Sequence, residues 1–216
     1  MTEQTTPAEI ELEGLGDWRR SHTCGELRPE HVGKSATVMG WVHRSRDHGG
    51  VLFVDLRDRF GLTQIVFRPE TGGKALLERA SHLGSEWVIA VRGEVTARPA
   101  ESLNPELPTG SVELDVRELK VLAAADPLPF QVNEDLHLAG EDVRLRHRYL
   151  DLRRPELAKM MALRHEAAQS ARRHLSSRGF HEMETPMLVK PTPEGARDYV
   201  VPSRVHPGSF YALPQS

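Results

Sequence analysis

The sequence predicts an α+β protein in which a five-stranded barrel is followed by the opening elements of a second, α/β unit. Three observations predict it. Between Ser35 and Arg68 apolar and polar residues alternate with the period of a strand, interrupted twice by turn sequences. A short helical pattern and two more alternating stretches then run to about Leu122. Beyond a proline-marked break the apolar period lengthens to that of a helix, which Pro155 opens.

The elements follow in order. Residues 1–20 are polar, largely acidic and without periodicity, and are expected to form a disordered tail. His22 to Val32 is a lead-in, with Pro29 opening a helical turn. In the second strand Leu52, Val54 and Leu56 share one face, and Val51, Phe53, Asp55 and Arg57 share the other. Asp58 to Gly61 forms the next turn. The third strand then places Thr63, Ile65 and Phe67 opposite Leu62, Gln64, Val66 and Arg68. Thr71 is expected to cap one helix reaching Leu83, with Ala75, Leu76, Leu77, Ala80 and Leu83 on its apolar side. Glu86–Arg98 turns Trp87, Ile89, Val91 and Val95 inward. Ser111–Leu122 does the same with Val112, Leu114, Val116 and Leu119, and the slip in alternation before Leu119 predicts a bulge. Three strands, a helix and two strands is the element order of the oligonucleotide-binding (OB) barrel, whose open face and loops hold nucleic acid or sugar. Residues 21–125 are assigned to it, and residues 126–140, with Asp126-Pro127-Leu128-Pro129, to a linker.

Residues 141–216 make up the second unit. Glu141–Arg154 is arginine-rich, and the helix from Pro155 should stop at Gly179, near Arg178. Its expected buried stripe is Leu157, Met160, Met161, Ala167, Ala168, Ala171 and Leu175, while Arg164, Arg172 and Arg173 lie on a solvated side. Phe180–Glu184 reads as a short strand ended by Pro186, and the remainder as loop and hairpin.

Composition narrows the function. No apolar run approaches membrane-spanning length and the N-terminus lacks a secretory pattern, so a cytoplasmic protein without membrane partners is expected. The single cysteine, Cys24, excludes an internal disulfide and an all-cysteine zinc site. The eleven histidines form no cluster with a carboxylate at zinc-ligand spacing, so no metal site is expected, and His43 and His48 read as surface or RNA-facing residues. A net charge of -3 does not point to nucleic acid, but Arg44, Arg46, Arg57, Arg59 and Arg68 outnumber Asp47, Asp55 and Asp58 in the stretch around the first three strands. The open face should carry Arg46, Phe53 and Gln64, with Glu113 outward on the last strand. An aromatic ring beside arginine and glutamine on a sheet is suited to stacking a single-stranded RNA base and reading its edge. The same alternation also fits a Phe53 packed beneath a loop. Neither a P-loop nor a Gly-x-Gly-x-x-Gly after a strand is present.

At RLRHRYLDLRR, GFHEMETPML and PTPEGARDYVVPSRVHPGSFYALPQS the sequence resembles bacterial aspartyl-tRNA synthetase, a class II synthetase of the subgroup that includes the lysyl and asparaginyl enzymes. The likeness spans Ser21 to Ser216, and TPEGARDYVVPSR is characteristic of the aspartyl members. It implies an OB-fold anticodon-binding domain followed by the beginning of a class II catalytic domain, in an ATP-dependent aspartate–tRNA ligase. By this resemblance Phe53 matches the aromatic that stacks on the central anticodon base, Arg46 and Gln64 match readers of the same region, and Arg98 and Glu113 match further anticodon contacts. His48, in RDHGG, matches a position where histidine often accompanies charging of both tRNA(Asp) and tRNA(Asn). Pro186 ends the first class II motif, which belongs to the homodimer interface. Pro191–Arg197 resembles the loop that closes over the amino acid, and Glu194, Gln215 and Ser216 match the L-aspartate pocket. The second and third motifs find no match, so the catalytic set is expected to be incomplete and the 216-residue chain inactive by itself. ATP and Mg belong to the complete enzyme and none is expected on this chain. The other reading is a shortened, non-catalytic paralogue that acts as a tRNA-binding module.

Overall fold

The computed structural model describes residues 11–132, 138–191 and 198–214. The chain divides into two compact units, Met1–Arg148 and Tyr149–Ser216.

In the first unit β1 (Ser35–His48), β2 (Val51–Asp58), β3 (Gly61–Phe67), β4 (Val88–Ala97) and β5 (Val112–Ala123) close into a barrel of strand order β1-β2-β3-β5-β4. The pairings are antiparallel except β3 with β5, which is parallel at Ile65–Leu114 and Val66–Asp115. The length of β1 closes the ring. Its first half, Ser35–Trp41, pairs with β4, and Trp41–His48 pairs with β2, with a bulge at His43 between Val42 and Arg44. Inward residues fill the interior. Val38, Val54, Leu56, Ile65, Phe67, Ile89, Val91 and Leu114 are fully buried, each contributing on the order of 1.5–3 kcal/mol of apolar transfer. On β5 the alternation slips at Arg117, where Val116 pairs with Gly93 but Glu118 pairs with Arg92. This is the bulge expected before Leu119.

The expected single helix is two, α1 (Pro69–Gly72) and α2 (Lys74–Ser81), parted at Gly73 with φ 86°. Thr71 does not cap α2; its hydroxyl donates to Asp115 Oδ1 at 2.9 Å. Ala80 and Leu83 are buried on the core and Leu76 and Leu77 partly so, whereas Ala75 is exposed.

Residues 11–20, expected as part of a tail, pack on the barrel. Glu13 N donates to Val121 O at 2.8 Å, and the Glu13 carboxylate pairs with Arg79. Trp18 is buried against Met39 and Ala90, with Arg92 4.3 Å and Lys120 5.1 Å from its ring centre. The polar, acidic make-up of the segment conceals this packing, because one indole buries enough area to order a short stretch. Cys24 and Leu27 of the lead-in are also buried, joining the barrel core, and burial together with nearby Asp58 pushes the Cys24 thiol far up, leaving it inert.

Between the barrel and the second unit lies α3 (Glu141–Arg146), followed by α4 (Arg148–Asp151). The second unit contains α5 (Pro155–Ser177) and a hairpin of β6 (Val200–Pro202) with β7 (Phe210–Ala212). Pro155 opens α5, and Gly179 at φ 82° closes it, with Phe180 N donating to Leu175 O at 3.1 Å. The expected apolar stripe is not buried: Met160 is 62% exposed, and no described element covers this face. The expected strand Phe180–Glu184 does not form among the described residues, since a strand requires a neighbour that the small β6–β7 hairpin does not supply. No described helix is long and apolar enough to cross a membrane.

Candidate nucleic-acid interface

The outer face of the barrel is built from rows of residues set by the strand register. Arg46 on β1, Phe53 on β2, Val66 on β3 and Asp115 on β5 form one row. Arg44, Asp55 and Gln64 form the next. At the tip, Gly49 and Gly50 with φ 64° and 85° make the two-residue turn between β1 and β2, a conformation that favours glycine at both positions. His48 precedes that turn, its ring centre 5.9 Å from that of Phe53 with the planes inclined at 67°. Phe53 is half-buried, and its ring is not stacked face to face on His48. Arg46 and His48 are exposed, and Arg46 Nη2 donates to Asp55 Oδ2 at 2.9 Å.

The other residues expected on the open surface form its floor. Gln64 is 8% exposed, Arg98 8% and Glu113 2%. Gln64 Nε2 donates to Glu113 Oε2 at 2.9 Å, and Arg68 Nη2 donates to Glu113 Oε1 at 2.5 Å. Arg68 Nη1 also reaches Asp115 Oδ1 at 3.2 Å. Alternation placed Glu113 correctly away from the core, but did not show that Asp115, two residues on, adds a second carboxylate to the same face. Arg68 covers both. Arg98 Nε donates to Val112 O at 3.0 Å, while its Nη2 is buried with no hydrogen-bond partner among the described residues. Burial lowers the pKa of Arg98 and the nearby Glu113 and Asp55 carboxylates oppose that shift.

A second network supports the face from behind the β1 bulge. Arg57 Nη2 donates to both oxygens of Glu86 at 2.8 and 2.9 Å, and Arg57 Nη1 lies 2.8 Å from His43 Nδ1. A guanidinium only donates, so His43 Nδ1 accepts. Burial, followed by the Arg57 charge, lowers the His43 pKa below the usual imidazole range. On acidification the unfolded chain therefore takes up a proton at His43 that the folded chain resists. The stability held by neutral His43 is full above the unfolded pKa and is lost as pH falls through about 6.5 toward the folded value. His22, also lowered, acts in the same direction. Urea midpoints at pH 7.5 and 5.5 should drop more in wild type than in His43→Gln, which retains an acceptor for Arg57. Equal drops would remove His43 from the account.

The expected residues thus divide into groups. Arg46, His48, Phe53, Gln64 and Glu113 share one face, with Arg98 buried near them. Pro186 is exposed on the second unit. Glu194, Gln215 and Ser216 lie outside the described residues. Asp115 was missed as a contributor, and Arg68 and Asp55, though read as outward-facing, were not grouped with the binding residues.

Residues 36–122 match the model of the OB-fold nucleic acid binding domain, and residues 140–216 match that of the tRNA synthetases class II (D, K and N). Residues 140–216 are thus a stretch of the class II (D, K and N) synthetase type, and residues 36–122 an OB-fold nucleic acid binding domain. It is 50% identical over 204 residues to the Aspartate--tRNA(Asp/Asn) ligase of Halothermothrix orenii and 55% identical over 205 residues to that of Oleidesulfovibrio alaskensis. Those alignments cover 94% and 95% of this chain and 34% of each relative, so the chain spans about a third of the length of these curated relatives. Among solved structures, asparaginyl-tRNA synthetase from Pyrococcus horikoshii complexed with asparaginyl-adenylate superposes with a TM-score of 0.78 at 29% identity, covering 92% of this chain and 43% of that one. An aspartyl-tRNA synthetase described as putative, from Leishmania major Friedlin, agrees in fold with a TM-score of 0.79 at 21% identity, covering 95% of this chain and 41% of that one.

Proposed function

We propose that this chain is the tRNA-recognising part of an aspartate–tRNA ligase, and that the outer barrel face binds the anticodon of tRNA(Asp). The observation that carries this reading is the half-buried Phe53 framed by Arg46 on one side and the Gln64–Glu113 pair on the other. A flat ring supplies a platform for one unstacked base, and the flanking polar groups supply hydrogen bonds to base edges. In the complete ligase, ATP activates aspartate, which is then passed to the tRNA. Mg accompanies that step in the complete enzyme. Among the described residues no group of three or more histidine, cysteine, aspartate or glutamate side chains is arranged to hold a metal ion. Glu194, Gln215 and Ser216 are proposed for the aspartate pocket by family likeness alone. Exposed Met183 and Met187 beside Pro186 support Phe180–Pro186 as the surface of a homodimer. We propose a cytoplasmic location, because translation uses the ligase's product there.

Filter binding of an aspartate tRNA transcript tests the reading. Affinity should fall when anticodon bases are substituted and should weaken as salt rises, because arginines neutralise phosphates. Affinity independent of the anticodon would overturn it. The same assay addresses specificity. His48 lies at the tip of β1 beside Phe53, and the relatives' names pair tRNA(Asp) with tRNA(Asn). We therefore propose that His48 helps this protein accept both. His48→Leu should change the ratio of the two affinities by about tenfold, or roughly 1.4 kcal/mol. A ratio unchanged by that substitution would assign His48 to the turn alone.

A further inference from the structure

We infer that Arg68 is a positioning residue for base recognition, setting which end of the Gln64 amide faces the nucleic acid. The inference rests on the anticodon-binding reading above. Glu113, as a carboxylate, only accepts hydrogen bonds, so it must meet the NH2 end of Gln64, as the 2.9 Å Nε2 contact records. Gln64 Oε1 is thereby turned away, without a hydrogen-bond partner among the described residues. The outer face consequently offers an acceptor at this point, suited to a base edge that carries an N–H.

That polarity depends on Glu113 being held with one oxygen toward Gln64 in a site where it is 2% exposed. Arg68 holds it there. Its Nη2 holds Glu113 at 2.5 Å while Nη1 holds Asp115 at 3.2 Å, one planar fork spanning two carboxylates. The Thr71 hydroxyl and Arg117 also engage Asp115, at 2.9 and 3.3 Å, so the fork is anchored on the side away from Gln64. Without Arg68 the Gln64 amide is the one hydrogen-bond partner Glu113 keeps among the described residues, the Arg98 charge nearby makes no hydrogen bond to it, and the amide can then turn over. A lysine keeps the charge but does not span both carboxylates in one plane.

The test is filter binding of an aspartate tRNA transcript, and of transcripts with each anticodon base substituted in turn, to wild type, Arg68→Lys and Arg68→Met, each checked for folding by its urea midpoint. The ratio of cognate to substituted affinity should fall about fivefold in Arg68→Met, the worth of one hydrogen bond, and less in Arg68→Lys. The slope of affinity against salt should not change. If Arg68→Met fails to fold, Arg68→Lys alone decides by the same ratio. An unchanged ratio with lower stability would make Arg68 merely structural and overturn the inference. A uniform loss for all transcripts with a shallower salt slope would make it a phosphate ligand and overturn it equally. Anticodon-independent binding by wild type would instead overturn the underlying reading, and is seen without any variant.

Discussion

Arg57→Met is expected to cost the barrel about 3–5 kcal/mol, the usual range when one partner of a buried ion pair is removed and the other charge remains. The Glu86 side chain is 3% exposed, and both of its oxygens accept from Arg57. Glu86 also has φ 63°, a left-handed conformation that costs a non-glycine residue on the order of 1–2 kcal/mol. The Arg57 pair and the 2.7 Å hydrogen bond from Glu86 N to Val42 O help hold it there. Val42 precedes the His43 bulge, and the bulge sets the register in which Arg44 and Arg46 meet Asp55 and Phe53. Losing Arg57 should therefore unfasten the bulge as well as strand a charge, and should weaken tRNA binding beyond what the stability loss alone explains. All three tryptophans, Trp18, Trp41 and Trp87, belong to the first unit, so their fluorescence follows the unfolding of that unit in urea. Glu86→Gln, which removes the buried charge, should cost less than Arg57→Met. A loss below about 1 kcal/mol in Arg57→Met would mean that Glu86 finds other compensation.

Much of the barrel was legible because a two-residue period leaves little freedom. Leu52, Val54 and Leu56 had to point one way and Phe53 the other, and the structure has them so. The slip before Leu119 could be seen as a bulge for the same reason. What the period does not encode is how deeply an outward residue sits. Gln64 and Glu113 were placed on the right face, but their burial comes with a long-range match between β3 and β5 that brings Gln64 and Arg68 against Glu113. The packing of Trp18 was likewise invisible, since it depends on Met39 and Ala90 from two distant strands. On α5 the opposite error arose. Its ends were legible from Pro155 and Gly179, yet an apolar stripe says only that something should cover it, and no described element does. The proposed recognition residues Arg46, Phe53 and His48 came from adjacent strands of one hairpin and could be grouped from sequence. The Arg57–Glu86–His43 network joins three separate elements, and no spacing rule connects them.

Phe53→Ala should weaken binding of an aspartate tRNA by about 1–3 kcal/mol, roughly 5- to 150-fold, which is the cost of losing one stacked base. The alternative role, a ring packed beneath a loop, would make Phe53 a buried residue whose truncation unfolds the barrel. Its position argues otherwise. Phe53 is only half-buried, its row neighbour Arg46 is exposed, and its near ring neighbour His48 stands at the tip, inclined at 67°. Truncation should therefore shift the urea midpoint little while changing affinity strongly. The two roles also differ in their salt response. Stacking is uncharged, so Phe53→Ala should leave the slope of affinity against salt unchanged, whereas Arg46→Ala should make it shallower by about one unit if Arg46 meets a phosphate. Phe53→Tyr, which keeps an aromatic face, should retain most of the affinity. Equal affinity of wild type and Phe53→Ala would end the stacking role. A large fall in the urea midpoint, with binding lost in proportion to the unfolded fraction, would return Phe53 to the core.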